Sequence, residues 1–510
     1  MAIKEQMRML VVRAVEDIPE QGIAKGDEFH LYVVDTHHHM GREKGHRNTP
    51  TGAYDFYTQL WFEVQNKSTK MMANDNLLFE PVGVVAPKIH ARLFDSRESW
   101  KRANHGWLVD RTVVFPYTDD YSQPDKPGTP SFAVSNNKIA GWTSRAPHSS
   151  RLIGFARVNP RDEEEPNAAL AVSEVERAIL RLGLRGLKLH PLAQLFMDEI
   201  DGTTTKNVVK RAAELDVPII FDTRNIKTVE RIQALVDSIR NDPSCGAATR
   251  NLRVIIAHCG MSPSDPKLFE ALRDPAMWAE TSTLHDLDVP ALFETAHERM
   301  GLERGRWSDK IMFGTDYSFL TVQAADVIVY LLSRDFQGTL VDAQKILGGN
   351  ALHLIQRPFR TELSADLPPL EVFTHDKGHG VQHTLESFLL QKISESDWDL
   401  ASLDFMMPPE STWPRVESTK VGGFNGVYQN SYLLSLRSNS VDGEIHVWVR
   451  RRAGGLLSVS ILGAQGPVRI ETLEHASQKT GGVLSQALSD GSRLARNAKE
   501  LLEAIETAVT

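Results

Sequence analysis

The sequence predicts an α/β fold, namely a (β/α)8 TIM barrel with a long insertion after its first strand and a separate C-terminal α+β domain. Eight short apolar runs, rich in β-branched residues, recur between residues 31 and 316, as parallel strands buried on both faces do. Amphipathic helical patterns lie between several of these runs. Polar residues stand where the runs stop, and the strand ends of a barrel meet on one face. An open, doubly wound sheet is the alternative that this pattern allows.

The predicted strands lie in chain order at residues 31–41, 113–116, 152–158, 186–190, 217–222, 254–258, 278–281 and 311–316. Helices are predicted where apolar residues recur three and four apart, over 169–182, 208–215 and 229–239. The first crossover, over about 41–110, is much longer than an ordinary connection and contains predicted helices near 54–65 and 97–103. Because it follows the carboxyl end of a strand, we expect this insertion to carry function as a lid or a pocket wall.

The alternation of strands and helices ends near residue 358, which predicts three regions. Residues 1–30 form an N-terminal extension with a strand-like segment at 9–14, residues 31–358 form the barrel, and residues 361–510 form a separate domain. The last domain is predicted as α+β, because alternating segments joined by glycine-containing turns precede a long amphipathic helix. Its strands are predicted at 431–436, 444–450, 456–462 and 468–473, and its helix at 483–509.

Composition and charge argue against several classes of protein. The chain has 510 residues, with 57 basic and 66 acidic side chains and a net charge of −9, whereas general nucleic-acid binding requires a basic surface. No apolar stretch approaches the ~18 residues of a membrane-spanning helix, and no signal peptide is evident. Two cysteines in so long a chain fit a reducing compartment. We expect a cytoplasmic protein that acts on a small molecule and binds neither nucleic acid nor membrane. We also expect a homo-oligomer, as a dimer.

Three successive histidines, His37, His38 and His39, follow the first apolar run. Side chains alternate between the two faces of a strand, so His37 and His39 share one face and can bind one metal ion together. His38 points to the other face, towards the helices, and we expect it to be structural.

Further residues that could bind a metal ion or an anion stand at later strand ends: Lys188, His190, Asp222, His258 and Asp316. Three or four ligands of the His/Asp type with an open position for water are typical of a catalytic metal site. The metal ion would lower the pKa of its bound water to about 7, and Asp316 could both bind the metal and accept the proton. Each residue alone also has a structural interpretation, as a hydrogen-bonded core histidine, a helix cap or a member of an ion pair.

Six segments resemble the amidohydrolase-2 branch of the metal-dependent hydrolase superfamily, which includes the aminocarboxymuconate-semialdehyde decarboxylase type. They are Val-Asp-Thr-His-His-His at 34–39, Gly-Leu-Lys-Leu-His-Pro at 186–191, Val-Pro-Ile-Ile-Phe-Asp at 217–222, Ile-Ala-His-Cys-Gly at 256–260, Phe-Gly-Thr-Asp at 313–316 and Ile-Leu-Gly-Gly-Asn-Ala at 346–351. The resemblance spans about residues 31–355 and covers nothing in the last 150 residues. It implies that His37, His39, His258 and Asp316 surround one metal ion, with Asp316 and His258 as the catalytic residues.

The chain departs from the family pattern at the end of the fifth strand, where it has Asp222 instead of a histidine. An aspartate can ligate zinc, iron or manganese, but it shifts the preference towards harder ions. It could instead leave the metal and hold a substrate group through Arg224. His190 could compensate as a ligand, although in the family this position more often shapes the pocket. We expect one divalent metal ion, with Zn2+ first and Mn2+ or Fe2+ as alternatives.

Three cations at or just beyond strand ends, Arg157, Lys188 and Arg224, could bind a substrate carboxylate, for which arginine offers two-point contact. Ion pairs between strands are the structural alternative. Weaker candidates for the site are Arg42, His46, Arg47, Glu280 and His285.

Three functions remain open from the sequence. The first is a metal-dependent hydrolase, in which activated water attacks an amide, lactone or ester carbonyl. Asp316 would act as the base, His258 would polarise or orient, and Lys188 or Arg224 would anchor a carboxylate. The second is a non-oxidative decarboxylase, a lyase that uses the same metal ion. The third is a degenerate barrel whose C-terminal domain serves as an interaction module.

Overall fold

The computed structural model describes residues 10–43, 45–84, 108–118, 129–143, 152–163, 170–246, 248–300 and 307–355, together with five strands between 398 and 474. The strands up to residue 355 are β1 (Leu10–Ala14), β2 (Glu28–Leu31), β3 (Val34–Glu43), β4 (His46–Asn48), β5 (Phe79–Val84), β6 (Arg111–Pro116), β7 (Leu152–Gly154), β8 (Ala156–Arg157), β9 (Leu187–Leu189), β10 (Ile219–Phe221), β11 (Val254–Ile256), β12 (Met277–Glu280) and β13 (Ile311–Met312).

Helices alternate with these strands, as the periodicity of the sequence predicts. They are α1 (Pro50–Ala73), α2 (Ala133–Thr143), α3 (Leu170–Glu176), α4 (Thr203–Glu214), α5 (Ile226–Arg240), α6 (Ala248–Asn251), α7 (Pro266–Leu272), α8 (Asp288–Met300), α9 (Ala325–Leu331), α10 (Leu340–Gln344) and α11 (Asn350–Leu354). The single helix predicted over 169–182 is instead α3 followed by a π-helical turn at Arg177–Arg181.

Parallel strands form the centre of this region. Strands β3, β6 and β7 pair in parallel, and β8 to β13 form a second parallel series in strict chain order. The β9, β10 and β11 residues are fully buried, as expected for a sheet that is covered on both faces. These strands therefore confirm the α/β class and the parallel pairing that the apolar runs predict.

Backbone hydrogen bonds also link β3, the first of the parallel strands, to the segment that follows β13, the last of them. The Asp316 N–H donates to the His37 carbonyl at 2.8 Å, and the His39 N–H donates to the Tyr317 carbonyl at 2.7 Å. At the junction of β7 and β8, the Phe155 N–H donates to the Val114 carbonyl at 2.9 Å. The segments after β3 and β13, which carry candidate site residues, are thus held side by side.

The N-terminal segment and the insertion form one unit rather than two separate additions. Strand β1 pairs antiparallel with both β2 and β5, so the predicted extension 1–30 and the insertion share a three-stranded sheet. Helix α1 is longer than the predicted 54–65, because Pro50 can occupy its first position and Thr49 precedes it in extended conformation. The helix predicted near 97–103 lies outside the described residues.

The C-terminal strands form a separate antiparallel sheet in chain order: β14 (Trp398–Phe405), β15 (Ser431–Ser438), β16 (Ile445–Arg451), β17 (Leu456–Gly463) and β18 (Gly466–Glu474). Four of them match predicted strands, and β14 was not predicted. The helix predicted over 483–509 lies outside the described residues. No helix in the described part of the chain has the length and apolar character needed to cross a membrane.

Candidate active site

Strand β3 holds the three histidines in its middle, not at its end as the sequence predicts. The strand continues to Glu43, and its last residues pair antiparallel with β4. The histidine segment itself pairs with β6 on one side and forms hydrogen bonds with Asp316 and Tyr317 on the other. His38 points away from its two neighbours: its Nδ1 lies 3.2 Å from Asp35 Oδ2 and its Nε2 lies 2.8 Å from Asn48 Nδ2. His38 is therefore part of a buried polar network behind the strand.

His37 and His39 lie on the opposite face, beside Asp316. The distance from Asp316 Oδ1 is 3.4 Å to His37 Nε2 and 3.2 Å to His39 Nε2. All three residues are buried, and among the described residues they form one of two clusters with ligand atoms close enough to share a metal ion. The second cluster comprises His37, His258 and Glu280.

Glu280 organises the second cluster through hydrogen bonds. Its Oε1 lies 2.8 Å from His37 Nδ1 and accepts the backbone N–H of His258 at 3.0 Å and the Ser282 hydroxyl at 2.7 Å. Its Oε2 accepts the Ser282 backbone N–H at 2.7 Å. An ionised carboxylate oxygen can only accept hydrogen bonds, so His37 has to be the donor in this contact. The proton of the neutral His37 ring is therefore assigned to Nδ1.

Ser282 extends the same arrangement to His258. Its hydroxyl oxygen lies 2.8 Å from His258 Nδ1 and donates its own proton to Glu280, so it accepts from that nitrogen. The Nε2 atoms of His37 and His258 then face away from Glu280, towards Asp316 and Asp222 respectively. We refer to Glu280 and Ser282 as the clamp, since together they hold both rings by their Nδ1 atoms.

The backbone at His258 is bent to reach the clamp. His258, Cys259 and Gly260 have φ values of 58°, 45° and 72°, in the left-handed region that costs a non-glycine residue about 1–3 kcal/mol when it is held there. Asp316, with φ 55°, is held in the same region. Strain at two site residues on different segments indicates that the surrounding contacts hold this part of the chain in one geometry.

Asp222, which stands where the family that the sequence resembles has a histidine, lies among basic side chains. Its Oδ2 is 3.2 Å from both Lys188 Nζ and His258 Nε2, and its Oδ1 is 3.5 Å from both His190 Nε2 and Arg224 Nε. Burial alone would raise the pKa of Asp222, but Lys188, followed by the two histidines, holds it well below its usual range. Asp222 belongs to neither three-residue cluster found among the described residues, and neither does His190.

Lys188 occupies the centre of the site. Its Nζ donates to Asp222 Oδ2 and to His37 Nε2, each at 3.2 Å, and lies 5.1 Å from the centre of the Phe115 ring. Burial lowers the pKa of Lys188 from its ordinary value. The structure thus places Lys188 between the histidine pair and Asp222, whereas the sequence left open whether it binds substrate or an ion-pair partner.

Burial is the largest single influence on the pKa values of His37, His39, His258 and Asp316. Burial, followed by the positive charge of Lys188, lowers the pKa of His37 well below its usual value, and burial with Arg157 does the same for His39. Burial would also lower the pKa of His258, but the Asp222 carboxylate reverses this and raises it. Burial raises the pKa of Asp316 to about 6. Neutral imidazoles at His37 and His39 leave lone pairs available for a cation.

The remaining candidates lie around the centre. Arg157, at the end of β8, is fully buried, whereas the Arg224 side chain is 47% exposed. His46 contacts the Phe319 ring at 5.3 Å between ring centres, and His285 Nδ1 contacts the Thr283 carbonyl at 2.9 Å. Arg42 and Arg47 lie in the β3–β4 pairing, at matched positions of the two strands.

Sequence reasoning underrated Glu280 and did not identify Ser282. The only signal for Glu280 was an acidic residue at the end of an apolar run, a position that often holds a helix cap or an ion-pair partner. What distinguishes it is the convergence of two backbone N–H groups on its carboxylate. That convergence depends on the left-handed turn at His258, which the sequence pattern does not predict.

Part of the chain matches the model of one protein family. Residues 126–357 match the family model described as "Amidohydrolase". The match begins after β3, so His37 and His39 lie outside it, whereas the resemblance predicted from the sequence begins near residue 31. No curated protein matches the chain.

Several solved structures are similar to this chain, at low sequence identity and low TM-score. A 2,6-dihydroxybenzoate decarboxylase in complex with 2,6-dihydroxybenzoate is 16% identical with a TM-score of 0.37, covering 64% of this chain and 98% of its own. An uncharacterised TIM-barrel protein from Bordetella bronchiseptica is 14% identical with a TM-score of 0.38, covering 64% and 98%. A 4-oxalomesaconate hydratase from Rhodopseudomonas palustris is 14% identical with a TM-score of 0.38, covering 64% and 96%. These TM-scores are too low to support any inference about fold or activity.

Proposed function

We propose, on the premise that residues 126–357 belong to the amidohydrolase family, that the chain is a metal-dependent hydrolase acting on a small, carboxylate-bearing molecule. The observation that carries this proposal is the buried cluster of His37, His39 and Asp316, in which Asp316 Oδ1 lies 3.2–3.4 Å from the Nε2 atoms of the two histidines. One divalent ion, with zinc as the first choice, would be held there.

The donor set fits such an ion in spacing and charge. Ligands that lie 2.0–2.2 Å from a tetrahedral zinc ion are about 3.3–3.6 Å from one another, close to the distances from Asp316 Oδ1 to the two histidines. Two neutral imidazoles and one carboxylate leave the fourth position open, as in catalytic sites. Lys188 donates to the same His37 Nε2, so this hydrogen bond has to break when the ion binds.

A bound ion of this kind lowers the pKa of water and polarises a carbonyl group. The clamp keeps a proton on Nδ1 of His37 and of His258, so that both Nε2 atoms stay directed at the site. Asp316 would bind the ion through Oδ1, and its second carboxylate oxygen could then take a proton from the attacking water. Lys188 and Asp222 form a charged pair that can orient a polar group of the substrate.

We also propose that β3, β6 and the β7–β13 series close into a (β/α)8 barrel. The hydrogen bonds from Asp316 to His37 and from His39 to Tyr317 join the first and last segments and support closure. In such a barrel the active site lies at the carboxyl ends of the strands. The clamp lies at the end of β12 and Asp316 follows β13, whereas the histidine pair lies within β3.

The test is metal analysis combined with assays of the purified full chain. We expect about one divalent ion per chain, and hydrolysis of an amide, lactone or ester that carries a carboxylate. Release of carbon dioxide from a carboxylic acid, with the same ion required, would assign the chain to the decarboxylase alternative. Absence of stoichiometric metal from protein prepared without chelator would contradict both activities.

A further inference from the structure

Arg157 is a buried cation that no carboxylate contacts within the described part of the structure. The residue ends β8, where it pairs in parallel register with Lys188 of β9. Its side chain is fully buried. Its guanidinium carbon lies 5.9 Å from the ring centres of both Phe115 and Phe132.

Among the described residues, Arg157 donates hydrogen bonds to neutral acceptors. Nε donates to the Pro116 carbonyl at 2.9 Å, and Nη1 donates to Gln194 Oε1 at the long distance of 3.4 Å. Nη2 has no hydrogen-bond partner in the described part of the structure. A buried guanidinium therefore retains N–H groups that nothing accepts, which is costly for a charged group in a low-dielectric environment.

Two other arginines of the chain are paired with carboxylates. Arg177 makes two contacts with Glu174, at 2.7 and 2.8 Å, and Arg240 makes two with Asp274, both at 2.6 Å. These side chains are more exposed than Arg157 and yet have carboxylate partners. Arg157 is thus the deeper and the less satisfied charge, a combination more typical of a ligand-binding residue than of a structural ion pair.

Its surroundings place Arg157 at the proposed site. The Phe115 ring that it contacts also lies 4.9 Å from the His39 ring, between centres, and 5.1 Å from Lys188 Nζ. The ammonium of Lys188 is already engaged by Asp222 and His37, while Arg224 is half-exposed and lies beside Asp222. Of the three cations, Arg157 alone is fully buried and has a nitrogen atom, Nη2, without a hydrogen-bond partner among the described residues.

We propose that the Nη2 edge of Arg157 binds a carboxylate of the substrate that is not the reacting group. This inference rests on the proposed function, because the bound molecule would extend past Phe115 to His37, His39 and Asp316. The substrate class is then a small acid whose scissile bond is separated from an anchoring carboxylate. In the decarboxylase alternative, the same geometry requires a second carboxylate in addition to the one that is lost.

The test measures anion binding by the full chain, with malonate and inorganic phosphate as probes. We expect malonate to raise the thermal unfolding midpoint of the wild-type protein, and Arg157→Met to weaken malonate binding at least tenfold. Arg177→Met is the matched control, since it removes a carboxylate-paired arginine: it should unfold at a lower temperature but keep the malonate shift. Without any anion, Arg157→Met should unfold at the wild-type temperature or above it, because an uncompensated charge is removed.

Several results would overturn the inference. These are a malonate shift that persists in Arg157→Met, no shift in the wild type, or a larger Arg157-dependent shift with phosphate than with malonate. If Arg157→Met does not fold, Arg157→Gln replaces it, and failure of both would show that Arg157 is structural. Metal content is measured on the same preparations: loss of metal with an intact malonate shift would contradict the proposed function and leave the anion site standing.

Discussion

Replacement of Gly314 by alanine should displace the Glu280 side chain of the clamp. A Cβ at this position would lie 2.3 Å from Glu280 Oε2 and 3.2 Å from His37 Cβ. The oxygen would have to move by roughly 1 Å to reach van der Waals separation. It would then lose its 2.7 Å hydrogen bond from the Ser282 N–H. We expect the free energy of unfolding to fall by about 2–4 kcal/mol, from overpacking and the loss of a charge-assisted hydrogen bond.

The assay is chemical denaturation of the full chain, with metal affinity measured in parallel by chelator competition. The matched control is Gly141→Ala, because a Cβ on Gly141 in helix α2 meets nothing within 4 Å. That change should leave stability unaltered or raise it by about 0.5–1 kcal/mol, since alanine favours a helix. Gly314→Ala should also weaken metal binding, whereas Gly141→Ala should not.

A double-mutant cycle identifies the cause. In a Glu280→Ala background the obstructing oxygen is absent, so Gly314→Ala should cost less there than in the wild type, by about 1 kcal/mol or more. An equal cost in both backgrounds would refute the reasoning, because the loss would then arise from the backbone at Gly314 and not from contact with Glu280.

Three further predictions concern Glu280, His38 and the C-terminal region. Glu280→Gln keeps the size of the side chain but removes its charge and one acceptor oxygen, so metal affinity in chelator competition should fall about 10- to 100-fold; unchanged affinity would show that the clamp does not orient the histidines. His38→Ala should retain the metal ion, because its ring contacts Asp35 and Asn48 instead. Its free energy of unfolding should fall by about 1–3 kcal/mol, and metal loss from the folded variant would contradict this. A chain that ends at residue 360 should remain soluble and bind metal; an insoluble product would show that the C-terminal region belongs to the core or to an interface.

The parallel strands were predictable because their signal is local. Runs such as 217–222 and 254–258 are apolar throughout, as strands covered on both faces must be, and β10 and β11 lie within them. Strand β14 was missed for an equally local reason. Its apolar residues alternate from Trp398 to Leu400, and the phase then shifts to Leu403 and Phe405, where the pairing register with β15 also shifts. A β-bulge thus breaks the alternation on which strand prediction depends.

The sequence indicated which residues lie near one another at the candidate site, but not the contacts between them. Strand alternation correctly placed His37 and His39 together and His38 apart. The contacts of Asp222 with Lys188 and His258 join residues that are distant in the sequence, so no spacing rule could give them. The clamp depends on positive φ at a non-glycine residue, His258, which the sequence does not signal.

The central claim is that the face formed by His37, His39 and Asp316 holds one divalent ion. The most direct measurement is the metal content of the purified full chain by mass spectrometry, beside that of His37→Ala combined with His39→Ala. We predict about one ion per wild-type chain, and neither bound metal nor turnover in the double variant. A wild-type chain without stoichiometric metal, or a folded double variant that keeps its metal and its full activity, would contradict the claim.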